Sequence, residues 1–400
     1  MGVQENQCPG YILALIILGL LIGPVFHLSS PERMAELAPI FAPIALMVLL
    51  FDGGLRMSIP KVVYDTPKAS LFALMNVLLS MLVSSIFMNF AFGWDYALGA
   101  ILGAIVGGTS SAIVIPILSK FNHGEECKGI LALESVITDV LCIIISITIM
   151  DLLLQSSANP INTIMGTFSI GIILGVLFGV LWLSLINKFK GLSYMLTLAI
   201  IFVLYSLAEW SGGSGAIAAL VFGLALGNRE DFCNFFHIGA SCDTDKENLR
   251  VMQSEVSFFV KTFFFVYLGM VFSVKGFFPI IAGAVLSMLL IASRYFSTRV
   301  IAVDGQLKKQ VNFMVAMAPR GLAAAVLAQV PLTRGLVSDS SITEIVFVVI
   351  VTTVVLSSIG IAYLGNKDNK DEEDRKKEES TNKLKGIINE AKSPGATSQH

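Results

Sequence analysis

Twelve apolar stretches follow one another along the first 365 residues, and most are long enough for a helix to cross a bilayer. A spanning helix takes about 20 mostly apolar residues. Only 14% of the chain is charged, whereas a soluble domain averages roughly 25%. The sequence therefore predicts an all-α polytopic membrane protein with about twelve transmembrane helices. The twelve segments are residues 11–26, 37–57, 67–91, 96–119, 128–153, 163–187, 192–209, 214–228, 254–273, 276–298, 309–330 and 342–365.

Basic residues in the connecting loops indicate the orientation, because cytoplasmic loops carry an excess of Lys and Arg. One side of the predicted bilayer has only Arg33, Lys275 and Arg334. The opposite side has twelve basic residues, and this asymmetry predicts that both termini are cytoplasmic. The twelve are Lys61, Lys68, Lys120, Lys128, Lys188, Lys190, Arg229, Lys246, Arg250, Arg299, Lys308 and Lys309.

The chain divides into two parts by composition. Residues 1–365 form the predicted transmembrane domain, and residues 366–400 form a charged tail with few apolar side chains. Such a tail cannot bury enough apolar surface to offset its ordering entropy. We expect it to be a disordered cytoplasmic extension. The formal net charge of −2 argues against a polyanionic partner such as nucleic acid.

Ionisable side chains at membrane depth are functional candidates, because holding them there is costly. Asp52 lies in the second segment, and Glu134 and Asp139 lie in the fifth. Residues three or four positions apart share one face of a helix. Ser135, Thr138 and Asp139 therefore form one stripe, with Glu134 on its flank. The spacing favours a structural ion pair for Glu134 and a functional role for Asp139.

Three other ionisable residues have simpler interpretations. Lys261 lies toward the end of the ninth segment and Arg294 near the end of the tenth. Long basic side chains near helix ends extend their charge to the interface. We therefore expect Lys261 to snorkel and Arg294 to meet the lipid headgroups. Glu209, beside Trp210, is expected at the outer interface.

Two segments carry helix-weakening residues near their middle. The fourth contains "GAIVGGTSSAIVIP" and the eleventh contains "AMAPRGLAAAV". Glycine and proline both weaken the helical hydrogen-bond ladder. Close packing through small residues is one explanation for such a segment. The alternative is a broken helix, and paired breaks in two inverted halves point to a transporter binding site.

These residues resemble the cation/proton antiporter superfamily, and most closely its NhaP-type sodium/proton exchanger branch. The resemblance covers all twelve segments. It is carried by "GYILALIILGLLIGP", "LLFDGGL", "GAIVGGTSSAIV", "ESVITD" and "PRGLAAAVLA", in that order along the chain. It implies an inverted-repeat antiporter fold with two broken crossing helices, and a homodimer in the cell membrane.

The resemblance also implies roles for individual residues. Asp139 would be the carboxylate that carries the cation or the proton. The other implied ligands of the monovalent cation are Asp52, Ser135, Thr138 and Thr109. Glu134 and Arg320 would form a structural ion pair between the fifth and eleventh segments. Thr138 stands where the family has asparagine, and Ser110 where many relatives have an acid.

The implied function is secondary active transport rather than enzyme catalysis. Protons and Na⁺, or Li⁺, would compete for Asp139 and be exchanged by alternating access, with no cofactor. A K⁺/H⁺ antiporter or potassium-efflux protein of the same superfamily stays open as the alternative. An intramembrane aspartyl protease using Asp52 and Asp139 is disfavoured, because neither residue stands in a YD or GxGD signature.

Overall fold

The computed structural model describes most of the predicted transmembrane part. Helices long and apolar enough to cross a membrane are Pro39–Arg56, Pro67–Phe92, Glu126–Leu154, Met165–Leu185, Val251–Val271, Phe277–Ile301 and Ser341–Leu364. The other five predicted segments hold shorter apolar helices, so the count of twelve spans stays a prediction. The charged tail lies outside the described residues, which are 9–26, 34, 36–57, 67–118, 121, 124–154, 160–186, 193–236, 246–271, 277–303, 305–338 and 340–364.

The secondary structure of these residues is helical, which confirms the predicted all-α class. A π-helical turn, Leu21–Val25, follows the first helix. The α-helices are α1 (Pro9–Leu20), α2 (Ala38–Arg56), α3 (Pro67–Phe92), α4 (Tyr96–Ile105), α5 (Ser111–Leu118), α6 (Glu125–Leu154), α7 (Pro160–Leu185), α8 (Ser193–Trp210), α9 (Gly215–Gly227), α10 (Arg229–Phe235), α11 (Lys246–Val271), α12 (Phe277–Ile301), α13 (Gly305–Lys309), α14 (Val311–Ala316), α15 (Leu322–Leu327), α16 (Val330–Thr333) and α17 (Ser341–Leu364).

The fourth predicted segment is broken between α4 and α5. Helix α4 ends at Ile105 and α5 begins at Ser111. Gly108 lies in the gap and presses against α6. A Cβ added there would lie 2.9 Å from Sγ of Cys142 and 3.1 Å from the carbonyl oxygen of Thr138. The glycine therefore allows the unwound segment to approach α6 more closely than any side chain would permit.

The eleventh predicted segment is broken in the same way, between α14 and α15. The gap contains Pro319, which cannot donate a backbone hydrogen bond. The two breaks cross each other, because the backbone N–H of Ser110 donates to the carbonyl of Pro319 at 2.9 Å. Gly321 allows the two breaks to pack closely, because an added Cβ would overlap the side chain of Ser110. Both predicted interruptions are confirmed.

The helices pack as two sets that meet at the crossing. In the first set, α1 packs on α11, α2 on α9, and α9 on α7 and α8. In the second set, α3 packs on α4, α6 and α12, and α5 packs on α6. The sets touch where α2 meets α6 and where α11 meets α15. Asp52 and Asp139 therefore lie on opposite sides of this boundary.

We expect Gly321→Ala to destabilise the protein, because its Cβ has no space beside Ser110. Overpacking of this kind costs roughly 1–3 kcal/mol. The thermal unfolding midpoint in detergent should fall. Gly129→Ala in α6 is the matched control, because an added Cβ there meets no atom within 4 Å. Equal midpoints for the two variants would contradict the close approach at the crossing.

Candidate functional site

A small, partly open cavity lies at the boundary between the two sets of helices. Asp52 and Arg56 reach it from α2, Asp139 from α6 and Lys261 from α11. The remaining lining residues are Leu49, Gly53, Ser110, Ser111, Ala112, Val136, Val140, Ile143, Leu322 and Ala323. The cavity thus combines two carboxylates, two basic groups and two hydroxyls with an otherwise apolar wall. Of the predicted cation ligands, Asp52 and Asp139 line this cavity, whereas Ser135, Thr138 and Thr109 are not among its lining residues.

Asp139 is bound at the start of the half-helix α5. The hydroxyl of Ser111 donates to Oδ2 of Asp139 at 2.6 Å, and the backbone N–H of Ser111 donates to the same oxygen at 3.3 Å. The first turn of a helix carries unsatisfied N–H groups and a partial positive charge. The unwound segment therefore places favourable dipoles against this carboxylate without supplying a full charge.

Asp52 has a charged partner on its own helix. Nε of Arg56, one turn later, lies 2.9 Å from Oδ1 of Asp52. The side chain of Asp52 is 10% exposed and that of Arg56 is 35% exposed. Asp52 therefore has a charged partner beside it, whereas Asp139 accepts hydrogen bonds from neutral donors.

Thr109 and Thr138 hold the unwound segment against α6. The backbone N–H of Thr109 donates to Oγ1 of Thr138 at 3.1 Å, and the Thr109 hydroxyl donates to Oε2 of Glu134 at 2.9 Å. The Ser135 hydroxyl donates to the carbonyl of Ala132 within its own helix. Thr109, Thr138 and Ser135 are buried and are not among the residues that line the cavity.

Glu134 pairs with Arg294, and not with Arg320 as the resemblance implied. Nη1 of Arg294 lies 3.0 Å from Oε1 of Glu134, and Nη2 lies 3.3 Å from Oε2. Both side chains are almost fully buried, at 1% and 0% exposure. Asn76 donates to Oε1 at 3.1 Å and Thr109 to Oε2. Every oxygen of this buried carboxylate is therefore satisfied.

Arg320 instead supports the first break. Its Nη1 donates to the carbonyl of Gly107 at 2.7 Å, just beyond the end of α4. Its backbone N–H donates to the hydroxyl of Thr353 in α17. Helix C-termini present unpaired carbonyls and a partial negative charge. The guanidinium therefore fixes the end of one broken span from within the other.

The expected position of Arg294 near lipid headgroups was wrong. Helix α12 continues to Ile301, so Arg294 lies well inside the helix. Its guanidinium lies 5.0 Å from the ring centre of Phe72 in α3. Ser287, Arg294 and Ser297 are all buried, and their spacing puts them on one face. This polar stripe was the sequence signal for an inward-facing arginine.

The snorkelling expected for Lys261 was also wrong, because this lysine lines the cavity. Its helix carries Gln253 and Ser257 at intervals of four residues, and both are fully buried. A polar stripe with this period marks a face that points into the protein. Ser111 was missed as a partner of Asp139, since the sequence showed only a run of small hydroxyl residues there.

Comparisons with known proteins agree with this architecture. A family profile described as "Sodium/hydrogen exchanger, transmembrane" matches residues 9–366. The solved structure of the sodium proton antiporter MjNhaP1 from Methanocaldococcus jannaschii at pH 8 superposes with a TM-score of 0.72. At 23% identity it covers 88% of this chain and 90% of that one. This likeness shows the fold.

The names of two curated relatives give different transported cations. "Probable Na(+)/H(+) antiporter 2" from M. jannaschii is 28% identical over 64% of this chain and 62% of its own length. "K(+)/H(+) antiporter NhaP2" from Shewanella oneidensis is 26% identical over 54% of this chain and 39% of its own. The chain therefore spans less than two thirds of the length of either relative.

Proposed function

The chain belongs to the sodium/hydrogen exchanger family, and from that premise we propose that it exchanges a monovalent cation for protons across a membrane. The cation is Na⁺, with Li⁺ as a second substrate. The observation that supports this most directly is the shared cavity of Asp139 and Asp52 beside two broken spans. Broken spans of this kind form ion sites in secondary transporters.

The chemistry follows from the partly buried position of Asp139 in the cavity wall. A desolvated carboxylate disfavours its charged form. A proton or a small cation can neutralise it, and the two compete for one group. Carboxylate and hydroxyl oxygens, here from Asp139, Asp52 and Ser111, are hard ligands suited to alkali cations. Competition for Asp139 is the step that couples the two ions.

The two sets of helices supply the movement. Asp139 belongs to the second set, and Asp52 belongs to the first. Sliding of one set against the other would expose the cavity first on one side of the bilayer and then on the other. The Ser110–Pro319 hydrogen bond and the Arg320–Gly107 hydrogen bond keep the crossing together during that movement.

The roles of the three buried hydroxyls form part of the proposal. Ser135, Thr138 and Thr109 complete the cation shell that the family resemblance implies, together with Asp139 and Asp52. The hydrogen bonds of Thr109 with Thr138 and Glu134 support a second role for the two threonines, which is to hold the unwound segment in place. Glu134, Arg294 and Arg320 stabilise the site without contacting the cation.

K⁺/H⁺ exchange is the second candidate, because relatives with that name match the chain. The cavity's oxygen ligands suit either alkali ion. We propose for both functions a cell-membrane location, cytoplasmic termini, a cytoplasmic tail at residues 366–400 and a homodimer. These features follow from the loop charges and the family rather than from any contact in the structure.

Purified protein in liposomes tests the proposal. An imposed pH gradient, followed with a fluorescent pH probe, should dissipate when Na⁺ or Li⁺ is added. A response to K⁺ alone would select the second candidate. A gradient that no monovalent cation disturbs would refute both. Protein-free liposomes with the same salt additions are the control for passive leak.

A further inference from the structure

The charged side chains that line the cavity differ in whether they form an ion pair with a described residue. Asp52 has its ion pair with Arg56. Asp139 accepts hydrogen bonds from Ser111, and both of these donors are neutral. Lys261 has no ion pair within the part of the chain that the structure describes. Among the described residues, one negative group and one positive group therefore line the same cavity without forming an ion pair.

These two groups belong to different sets of helices. Asp139 lies on α6 with the crossing spans, and Lys261 lies on α11, which packs against α1 and α2. Helix α11 also touches α15 at the boundary. An attraction between the two side chains would therefore act across the surface along which the sets move.

We propose that the ammonium of Lys261 balances the charge of Asp139 when no alkali cation is bound. In this way Lys261 sets the apparent affinity for the transported cation. This inference rests on the proposed function. An entering alkali cation meets the ammonium of Lys261 in the same small cavity, and like charges repel strongly where water is scarce. The cation binds at Asp139 only as the ammonium of Lys261 moves away from the cavity that the two side chains share. The ammonium thus acts as a built-in competitor of the substrate.

Removal of this charge should tighten cation binding. We expect Lys261→Gln to lower the KM for Na⁺ on the order of tenfold, equivalent to about 1.4 kcal/mol, with a smaller change in kcat. Lys261→Arg keeps the charge and should keep a KM near that of the wild type. If Lys261→Gln does not fold, Lys261→Met replaces it in the KM measurement, because methionine keeps the apolar part of the side chain.

Lys309→Gln is the matched control. It removes the same charge from an exposed position at the end of α13, outside the cavity. An equal fall in KM for Lys309→Gln would assign the effect to general surface potential and overturn the inference. An unchanged KM in a folded, active Lys261→Gln protein would also overturn it.

A second readout separates this inference from the proposed function. Protection of the detergent-solubilised protein against thermal unfolding by NaCl reports cation binding without transport. Half-protection should occur at lower NaCl in Lys261→Gln than in the wild type. A wild-type protein without cation-driven exchange would defeat the proposed function, whereas equal protection curves would defeat the role of Lys261.

Discussion

Asp139→Asn is expected to reduce cation-driven proton movement to the level of protein-free liposomes. Asparagine preserves the shape of the side chain and can still accept a hydrogen bond from Ser111. It cannot release a proton or neutralise a cation. The variant should therefore fold like the wild type and lose both transport and stabilisation by NaCl. Fluorescence-monitored exchange and thermal unfolding in detergent measure the two effects separately.

Asp95→Asn provides the matched control for this substitution. Asp95 is exposed at the start of α4, and its side chain makes no capping hydrogen bond. We expect exchange and thermal stability close to those of the wild type. Cation-driven exchange that survives in Asp139→Asn would show that another group carries the ion, and the proposed mechanism would then be wrong.

Arg294→Met is expected to produce the largest loss of stability. It leaves the Glu134 carboxylate buried without its charged partner, which costs roughly 3–5 kcal/mol. Glu134→Gln should also destabilise the protein, because the guanidinium of Arg294 then lacks its negatively charged partner. The double variant should lose much less than the sum of the single losses, since the two groups contact each other. Thermal midpoints in detergent measure all three variants.

Two comparisons make this prediction specific. Lys68 and Glu126 form an exposed pair at 3.1 Å, and exposed pairs contribute only about 0–1 kcal/mol. Lys68→Met should therefore have little effect. The coupling energy of Glu134 with Arg320 should be smaller than that with Arg294. A larger coupling with Arg320 would restore the pairing that the family resemblance implied and contradict the observed geometry.

The sequence predicted the broken spans because the backbone chemistry of glycine and proline is local. Gly107, Gly108 and Pro319 weaken a helix wherever they occur in it. The two interruptions could therefore be located before any packing was known. Asp139 and Asp52 were candidates for a similar reason, since a carboxylate in an apolar segment is costly in any fold.

The partners of the buried charges were harder to predict. Arg294 and Arg320 are both arginines within apolar segments, and either could have reached Glu134. The choice depends on how α12 packs against α3 and α14, which is a tertiary property. Lys261 posed the same problem, because position along a segment does not reveal which face points inward. The polar stripes on α11 and α12 carried that information.

The backbone at the crossing satisfies part of its own hydrogen bonding. Ser110 gives its N–H to Pro319, and Arg320 caps the carbonyl of Gly107. Unpaired peptide groups inside a membrane cost several kcal/mol each unless water or protein reaches them. A centre bonded in this way does not depend on hydration for these contacts. If the proposed alternating access is right, water entering from either face would leave these hydrogen bonds in place.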